Sequence, residues 1–367
     1  MANAAVDIGP KKPRQVMHSL QVLRAIAALL VVFSHIREKN LQNAADSTQI
    51  LQWFNFGPYG VDIFFVISGF IIAYIMPVGQ YSLGDVKEFL ARRVIRVMPM
   101  YWVVTLAAFS VWLYNPEMVN SSAPELTRVW QSFTLYPTDG RYLYQTGWTL
   151  SYEMYFYFLF AATMLFGRFQ RLLLALILTT MITIGIVYQP GPEDPLFYLL
   201  TRHHLLEFMA GFAFCHFGKH LIGKMPITGA VLSVTGVALI LAKAFDAGPI
   251  FDLFYFWGLP AMALVFGMLL LERAIPWPAY WVKLGEASYS LYLTHSFVMA
   301  AGAIIWYRLF DGTMASNIGF MFVSLAVSLV VAHLAYRFIE NAMTVSLNKK
   351  WKELKNRPQK QQVAPAE

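Results

Sequence analysis

The chain has 367 residues, of which 57% are hydrophobic and 13% are charged, with a formal net charge of +7. Soluble domains carry about 25% charged residues, so the composition excludes an ordinary soluble enzyme and indicates an all-α polytopic membrane protein. The single cysteine, Cys215, excludes an intramolecular disulfide and a cysteine metal cluster.

The apolar segments, taken in chain order, predict a bundle of ten membrane-spanning helices. A polar and basic stretch over residues 1–18 comes first and is expected to be disordered. Ten apolar runs of the length that a bilayer requires then follow, near residues 19–37, 59–77, 98–114, 148–166, 171–188, 203–218, 228–245, 253–271, 287–307 and 317–338. We therefore expect a transmembrane domain over 19–341 and a charged cytoplasmic tail over 342–367.

Lysine and arginine are distributed unevenly between the two sides of these helices. One side holds 20 of the 28 basic residues and the opposite side holds 7. By the positive-inside rule the richer side, which includes both termini, faces the cytoplasm. The basic balance therefore reflects membrane topology, and we expect no nucleic acid partner.

The first apolar run contains two ionisable residues, Arg24 and His35. Eleven positions make about three helical turns, so both side chains lie on nearly the same face, roughly 16 Å apart along the axis. An ionisable residue within a membrane helix indicates a functional site. The predicted topology places Arg24 near the cytoplasmic boundary and His35 toward the outer one.

Three arginines and one carboxylate share the cytoplasmic level of the predicted bundle. Arg93 and Arg96 lie on one helix face at the depth of Arg24, and Glu340 ends the tenth span at that depth. Three guanidinium groups at one level suit a polyanion such as a phosphate-bearing cofactor. The alternative is that these arginines snorkel to lipid phosphates, with membrane lipid as their only partner.

Three ionisable residues share the outer level, namely His35, Asp62 and Glu153. The compatible depths of His35 and Glu153 predict that the carboxylate orients the imidazole as a general base. The alternative is a structural contact between the two that fixes helix packing.

Other polar positions allow more than one interpretation. His295 lies mid-membrane on a polar stripe that either lines a tunnel or forms hydrogen bonds between helices. Ser68 precedes a glycine and permits close approach of a helix or a ligand, with helix packing favoured. A metal site formed by His203, His204 and Glu207 is not expected, because adjacent histidines point to different helix faces.

The ordered set of these motifs resembles the acyltransferase 3 family of integral-membrane O-acyltransferases, especially its exopolysaccharide-production (ExoZ-type) subgroup. The resemblance covers about residues 17–341. It rests on R-x10-H at Arg24 and His35, YGVDIFFVISGF (59–70), R-x-x-R at Arg93 and Arg96, WTLSYE (148–153), LEFMAG (206–211), SYSLYLTH (288–295) and FIE (338–340).

The resemblance implies a ten-helix bundle in the bacterial cytoplasmic (inner) membrane that takes an acetyl or other acyl group from cytoplasmic acyl-CoA. The implied acceptor is a hydroxyl of an exopolysaccharide, a cell-surface glycan or a lipid-linked sugar precursor. His35 is the implied catalytic residue, the three arginines handle the acetyl-CoA donor, and Glu340 is a further functional position. Some relatives carry an extracytoplasmic hydrolase-like domain, so the resemblance leaves open a separate partner or other synthesis machinery.

Two other classes of function remain open at this point. One is a polysaccharide or lipid transporter, which the lack of a visible internal repeat disfavours. The other is a non-catalytic membrane subunit of a polysaccharide synthesis complex. O-acetyl content of the polysaccharide separates the enzyme from both.

Overall fold

The computed structural model describes residues 16–43, 56–120, 123–244 and 258–356, and these residues are almost entirely helical. Most of the N-terminal segment that the sequence predicts to be disordered lies outside the described residues. The helices are α1 (His18–Asn43), α2 (Pro58–Ile75), α3 (Leu83–Tyr114), α4 (Val129–Thr134), α5 (Gly147–Met164), α6 (Gln170–Tyr188), α7 (Pro195–Thr201), α8 (His204–Ala213), α9 (Pro226–Ala244), α10 (Leu259–Leu270), α11 (Ala279–Glu286), α12 (Ser288–Leu309), α13 (Met314–Ala335) and α14 (Asn341–Lys355). Two π-helical turns continue α8 and α13, at Phe214–Gly218 and Tyr336–Glu340.

Six helices in the described part of the chain are long and apolar enough to cross a membrane, and two shorter apolar helices, Pro226–Ala242 and Leu259–Leu270, accompany them. The six are His18–Asn43, Pro58–Ile75, Leu83–Tyr114, Gly167–Tyr188, Ser288–Leu309 and Met314–Lys355. The prediction of a helical, multi-pass membrane protein is thereby confirmed. The number of spans and the side on which each terminus lies stay predictions.

Helix α1 occupies the middle of the bundle and contacts α2, α10, α11, α12 and α13. Small residues permit this crowding, because Ala25, Ala27 and Ala28 are fully buried and leave room for neighbouring helices. Hydrogen bonds secure both ends of the helix. The Ser19 amide donates to Glu272 Oε2 at 2.8 Å, and the Asn40 side chain donates to the Asn317 carbonyl at 3.2 Å. The two ionisable residues of α1 therefore stand on a rigid central element.

Helices α2 and α8 pack backbone against backbone through two glycines. A Cβ atom on Gly69 would lie 2.0 Å from the Phe208 carbonyl oxygen, and one on Gly211 would lie 2.0 Å from that of Val66. Both distances are far below van der Waals contact, so neither position accepts a side chain without moving the opposite helix. The close helix packing favoured from the sequence is what the structure shows at Gly69.

We expect Gly211→Ala to lower the stability of the purified protein in detergent, because the added methyl group forces α8 away from α2. Overpacking of this kind costs about 1–3 kcal/mol. The measurement is the thermal midpoint of monodisperse protein on size-exclusion chromatography. Gly302→Ala is the matched control, since its Cβ would meet nothing closer than 3.6 Å. Equal midpoints for the two variants would contradict the packing argument.

The described residues between α3 and α5 are folded onto the C-terminal half of α3. Strands β1 (Thr127–Arg128) and β2 (Arg141–Tyr142) pair in parallel, and Tyr101 of α3 donates to the Ser132 carbonyl at 2.6 Å. Arg128 lies 3.3 Å from Asp139 and holds the pKa of that carboxyl below its usual value. This end of the bundle therefore carries an ordered polar cover.

The last helix, α14, lies along the first turns of α3. The Trp351 indole donates to Glu88 Oε2 at 2.8 Å, and Lys355 Nζ lies 3.6 Å from the same oxygen. Residues 342–355, predicted to belong to a charged tail, thus form part of a helix docked on the bundle. The domain boundaries at 18 and 341 stay predictions.

Candidate active site

A cavity of about 380 Å³ lies between α1, α2, α3, α5, α12 and α14. Apolar side chains make up much of its wall, and a smaller polar set faces the same space. The polar lining residues are Arg24, Ser68, Arg92, Arg93, Arg96, Thr149, Glu153, Tyr157, Tyr289, Tyr292, Thr344 and Asn348. The cavity is thus strongly cationic, and it brings together the three arginines that the sequence places at one depth.

Arg96 is held by a buried carboxylate. Its Nη1 lies 2.5 Å from Glu340 Oε1, and Glu340 Oε2 accepts a hydrogen bond from Ser290 at 2.6 Å. Glu340 ends the π-helical turn Tyr336–Glu340, which adds a residue to the helical turn and changes the direction of the side chain. The charge of Arg96 is therefore matched within the protein, and the pair joins α3 to α12 and α13.

Arg93 and Arg24 have no such partner. Neither forms an ion pair with any described residue, and Arg24 has only a 3.5 Å contact with Gln21. The Arg93 guanidinium carbon stands 5.8 Å from the centres of the Phe89 and Tyr157 rings, and its buried Nε has no hydrogen-bond acceptor among the described residues. A buried cationic donor without an acceptor is the feature expected of a site that binds an anion.

Glu153 also faces this cavity, which corrects the predicted pairing with His35. Its Oε1 accepts a hydrogen bond from Ser68 at 2.8 Å and a second, shorter one from Tyr157. The prediction used depth along the helix, but depth does not fix rotation about the helix axis. That rotation turns the Glu153 carboxylate toward the arginines, so this residue helps to balance their charge.

His35 has a different carboxylate partner, Glu38, one turn further along α1. The His35 Nδ1 lies 3.2 Å from Glu38 Oε2, and the imidazole is 41% exposed. An ionised carboxylate only accepts hydrogen bonds, so in the neutral imidazole Nδ1 carries the proton and Nε2 has the lone pair. The i, i+3 spacing of His35 and Glu38 could have predicted this contact. The predicted first span ends at residue 37, so Glu38 was not considered as part of the helix.

His295 and Tyr292 lie between the cavity and His35. Tyr292 lines the cavity, and its hydroxyl lies 2.6 Å from Thr149 Oγ1. The ring centre of the buried His295 lies 6.1 Å from that of Tyr292 and 5.1 Å from that of His35. The His295 Nδ1–H donates to the Leu291 carbonyl at 3.1 Å. His295 is therefore fixed by its own helix and borders both His35 and the cavity wall.

Asp62 lies neither with the residues that line the cavity nor with His35 and Glu38. Its carboxylate lies 3.9 Å from His204 Nδ1, which in turn lies 3.5 Å from Glu207 Oε1. The residues expected at one outer level are thus distributed over three environments. The geometric objection to a His203, His204 and Glu207 cluster was also wrong, because α8 begins at His204 and the ligand atoms of these three residues lie within 4.8 Å of one another.

The amino-acid sequence also matches known proteins. A family profile described as an acyltransferase domain matches residues 17–337. The chain is 32% identical over 311 residues to the exopolysaccharide production protein ExoZ of Rhizobium meliloti, covering 79% of this chain and 90% of that protein.

Two further relatives are named as O-acetyltransferases. The chain is 24% identical over 373 residues to the peptidoglycan O-acetyltransferase OatA of Listeria monocytogenes, covering 89% of this chain and 56% of that protein. It is 22% identical over 361 residues to the O-acetyltransferase OatA of Staphylococcus aureus, covering 88% of this chain and 56% of that protein. The chain thus spans little more than half of either OatA protein. No solved structure matches it.

Proposed function

This chain belongs to the acyltransferase 3 family of membrane O-acyltransferases, and we propose that it transfers an acetyl group from cytoplasmic acetyl-CoA to a carbohydrate hydroxyl. The proposed acceptor is an exopolysaccharide, a cell-surface glycan or a lipid-linked precursor of one. Relatives named for exopolysaccharide production and for peptidoglycan O-acetylation support a polysaccharide acceptor.

The observation that carries the proposed donor is the pair of arginines left without a partner, Arg24 and Arg93. Coenzyme A presents phosphate groups, and arginine is well suited to bind them because its guanidinium group donates two parallel hydrogen bonds. The charge of Arg96 is already balanced by Glu340, so Arg96 contributes mainly to the electrostatic field and the shape of the cavity. The residues present therefore fit a phosphate-bearing donor.

The proposed orientation places this cavity at the cytoplasmic side of the membrane. Its wall includes α14, which carries Lys349, Lys350, Lys352 and Lys355, and such basic segments are retained in the cytoplasm. In this arrangement ten helices span the bacterial inner membrane and both termini are cytoplasmic. His35 then lies toward the outer face, roughly 16 Å along α1 from Arg24, and the ordered segment between α3 and α5 is the candidate for acceptor selection.

In the proposed reaction His35 Nε2 accepts the proton of the acceptor hydroxyl. The hydroxyl oxygen forms the new bond to the acetyl carbonyl carbon, the carbon–sulfur bond breaks, and the proton passes to the departing thiolate of CoA. Glu38 holds the imidazole by Nδ1 and stabilises its protonated form. If the reaction passes through an acetyl-enzyme, His35 Nε2 would carry the acetyl group.

Acetylation of polysaccharide tests the proposal directly. A deletion strain should produce polysaccharide without its O-acetyl signals in NMR spectra, and membrane vesicles should transfer label from [acetyl-14C]CoA to glycan only when the chain is present. A transporter predicts unmodified substrate accumulating inside the cell and movement without acetyl-CoA. A structural subunit predicts that a His35 variant behaves as the wild type. Either result would overturn the proposed reaction.

Glu38→Gln is expected to lower kcat for acetyl transfer about tenfold with little change in KM for acetyl-CoA, because the charged hydrogen bond to His35 contributes about 1.5 kcal/mol. The measurement is the initial rate in vesicles as a function of acetyl-CoA concentration. Glu117→Gln, in the segment after α3, is the control for loss of an exposed carboxylate. A wild-type rate for Glu38→Gln would show that Glu38 does not orient the base.

A further inference from the structure

A second group of ionisable side chains lies where α2 meets α8. It consists of Asp62 on α2, Glu207 and His204 on α8, and His203 at the start of α8. The His204 Nδ1 lies 3.5 Å from Glu207 Oε1 and 3.9 Å from Asp62 Oδ1, and the ligand atoms of His203, His204 and Glu207 lie within 4.8 Å of one another. The ligand atoms of three metal-ligating side chains thus converge, and Asp62 lies beside them at His204.

Two polar atoms of this group, both on α8, have no hydrogen-bond partner among the described residues. The Glu207 side chain is 1% exposed, and its Oε2 has no hydrogen-bond partner among the described residues; the same is true of His204 Nδ1. No lysine or arginine forms an ion pair with Asp62 or Glu207 in the part of the chain that the structure describes. Buried carboxylates so close together require a cation or a shared proton.

We propose that His203, His204 and Glu207 bind a divalent transition-metal ion, with the neighbouring Asp62 as a fourth ligand and Zn²⁺ as the best match. Two imidazoles and two carboxylates form a nitrogen and oxygen donor set of the type and number that zinc takes in four-coordinate sites. Calcium and magnesium are disfavoured, because they prefer oxygen ligands.

A path to the group is present. His204 borders a second cavity of about 360 Å³, lined also by Trp148, Tyr152, Tyr198 and Arg202. Trp148 and Tyr152 lie on the face of α5 opposite to Leu150 and Glu153, which line the first cavity. The metal site is therefore separate from the donor cavity, and its existence does not depend on the proposed acetyl transfer. Bound there, the ion links α2 to α8 beside their glycine contact.

The test is the zinc content of the full-length protein, purified in detergent through a tag without histidine. After removal of metals with EDTA and titration with ZnCl2, wild type is expected to retain one zinc ion per chain by mass spectrometry. Glu207→Gln and His204→Ala are expected to bind zinc at least tenfold more weakly, as loss of a ligand requires. His220→Ala, an exposed histidine elsewhere in the chain, is expected to bind as the wild type does.

Thermal unfolding provides the second measurement, which needs no variant. Zinc that binds only the folded protein raises the unfolding midpoint of the wild type, and magnesium at the same concentration is expected not to. Wild type that retains no zinc and shows no shift would overturn the proposal and leave a proton shared by Asp62 and Glu207. Neither readout uses acyl donor or acceptor, so failure of the proposed acetyl transfer would leave this result unaffected.

Discussion

Replacement of His35 by alanine is expected to abolish acetyl transfer while leaving the amount of folded protein unchanged. A positioned base contributes about 10²- to 10⁴-fold to a rate, and the Glu38 carboxylate, 3.2 Å from Nδ1, orients the His35 imidazole for that role. The half-exposed ring makes its contacts at Glu38 and His295 and fills no core, so its loss should not unfold the bundle. The measurement is glycan acetylation in vesicles, with protein quantified by immunoblot.

His333→Ala controls for loss of a histidine from the same bundle. His333 is exposed on α13, so this variant is expected to acetylate glycan at the wild-type rate. If polysaccharide from the His35→Ala strain kept its normal acetyl content, the assignment of His35 as the catalytic base would fail. Loss of activity in both variants would instead indicate a general effect on the membrane protein.

Arg93→Ala is expected to raise the KM for acetyl-CoA about 10- to 100-fold with a smaller effect on kcat. A hydrogen bond to a charged group contributes about 1.5–3 kcal/mol, and Arg93 has an unmatched guanidinium group to offer. Arg93 is a cleaner target than Arg96, because removing Arg96 would leave the buried Glu340 carboxylate without its partner. The measurement is initial rate against acetyl-CoA concentration in inverted vesicles.

Arg92→Ala is the matched control, one residue away on the rim of the same cavity. Arg92 is exposed and already paired with Glu88 at 2.5 Å, so its removal should change the KM little. An unchanged KM for Arg93→Ala would mean that the arginine interacts with lipid headgroups, as the snorkelling alternative holds. Equal increases for both variants would indicate a diffuse electrostatic effect and no specific phosphate contact.

The sequence predicts well how deep each ionisable residue lies along its helix. A helix rises by a constant amount per residue, so spacing along α1 and charge counts across the membrane bring Arg24 to the level of Arg93 and Arg96. The structure places all three in one cavity. The pairing of Arg96 with Glu340 also agrees with the common level assigned to them.

Rotation about a helix axis and the local geometry of helix ends are not determined by depth. Glu153 has the depth of a partner for His35 but faces Ser68, and Glu38 lay outside the predicted span although it is one turn from His35. The histidine pair at the start of α8 was judged by the regular geometry of a helix interior, which does not hold where the helix begins. These contacts depend on tertiary packing.

Because α14 docks on α3, the wall of the cavity extends beyond the end of the matched family region. The family profile ends at residue 337, whereas Thr344 and Asn348 line the arginine-containing cavity and Trp351 anchors their helix to Glu88. A gene shortened to the edge of the matched region would keep every matched residue and still encode an enzyme with one wall of that cavity missing. Early stop codons in this stretch are therefore expected to alter the same cavity that changes in the arginines alter.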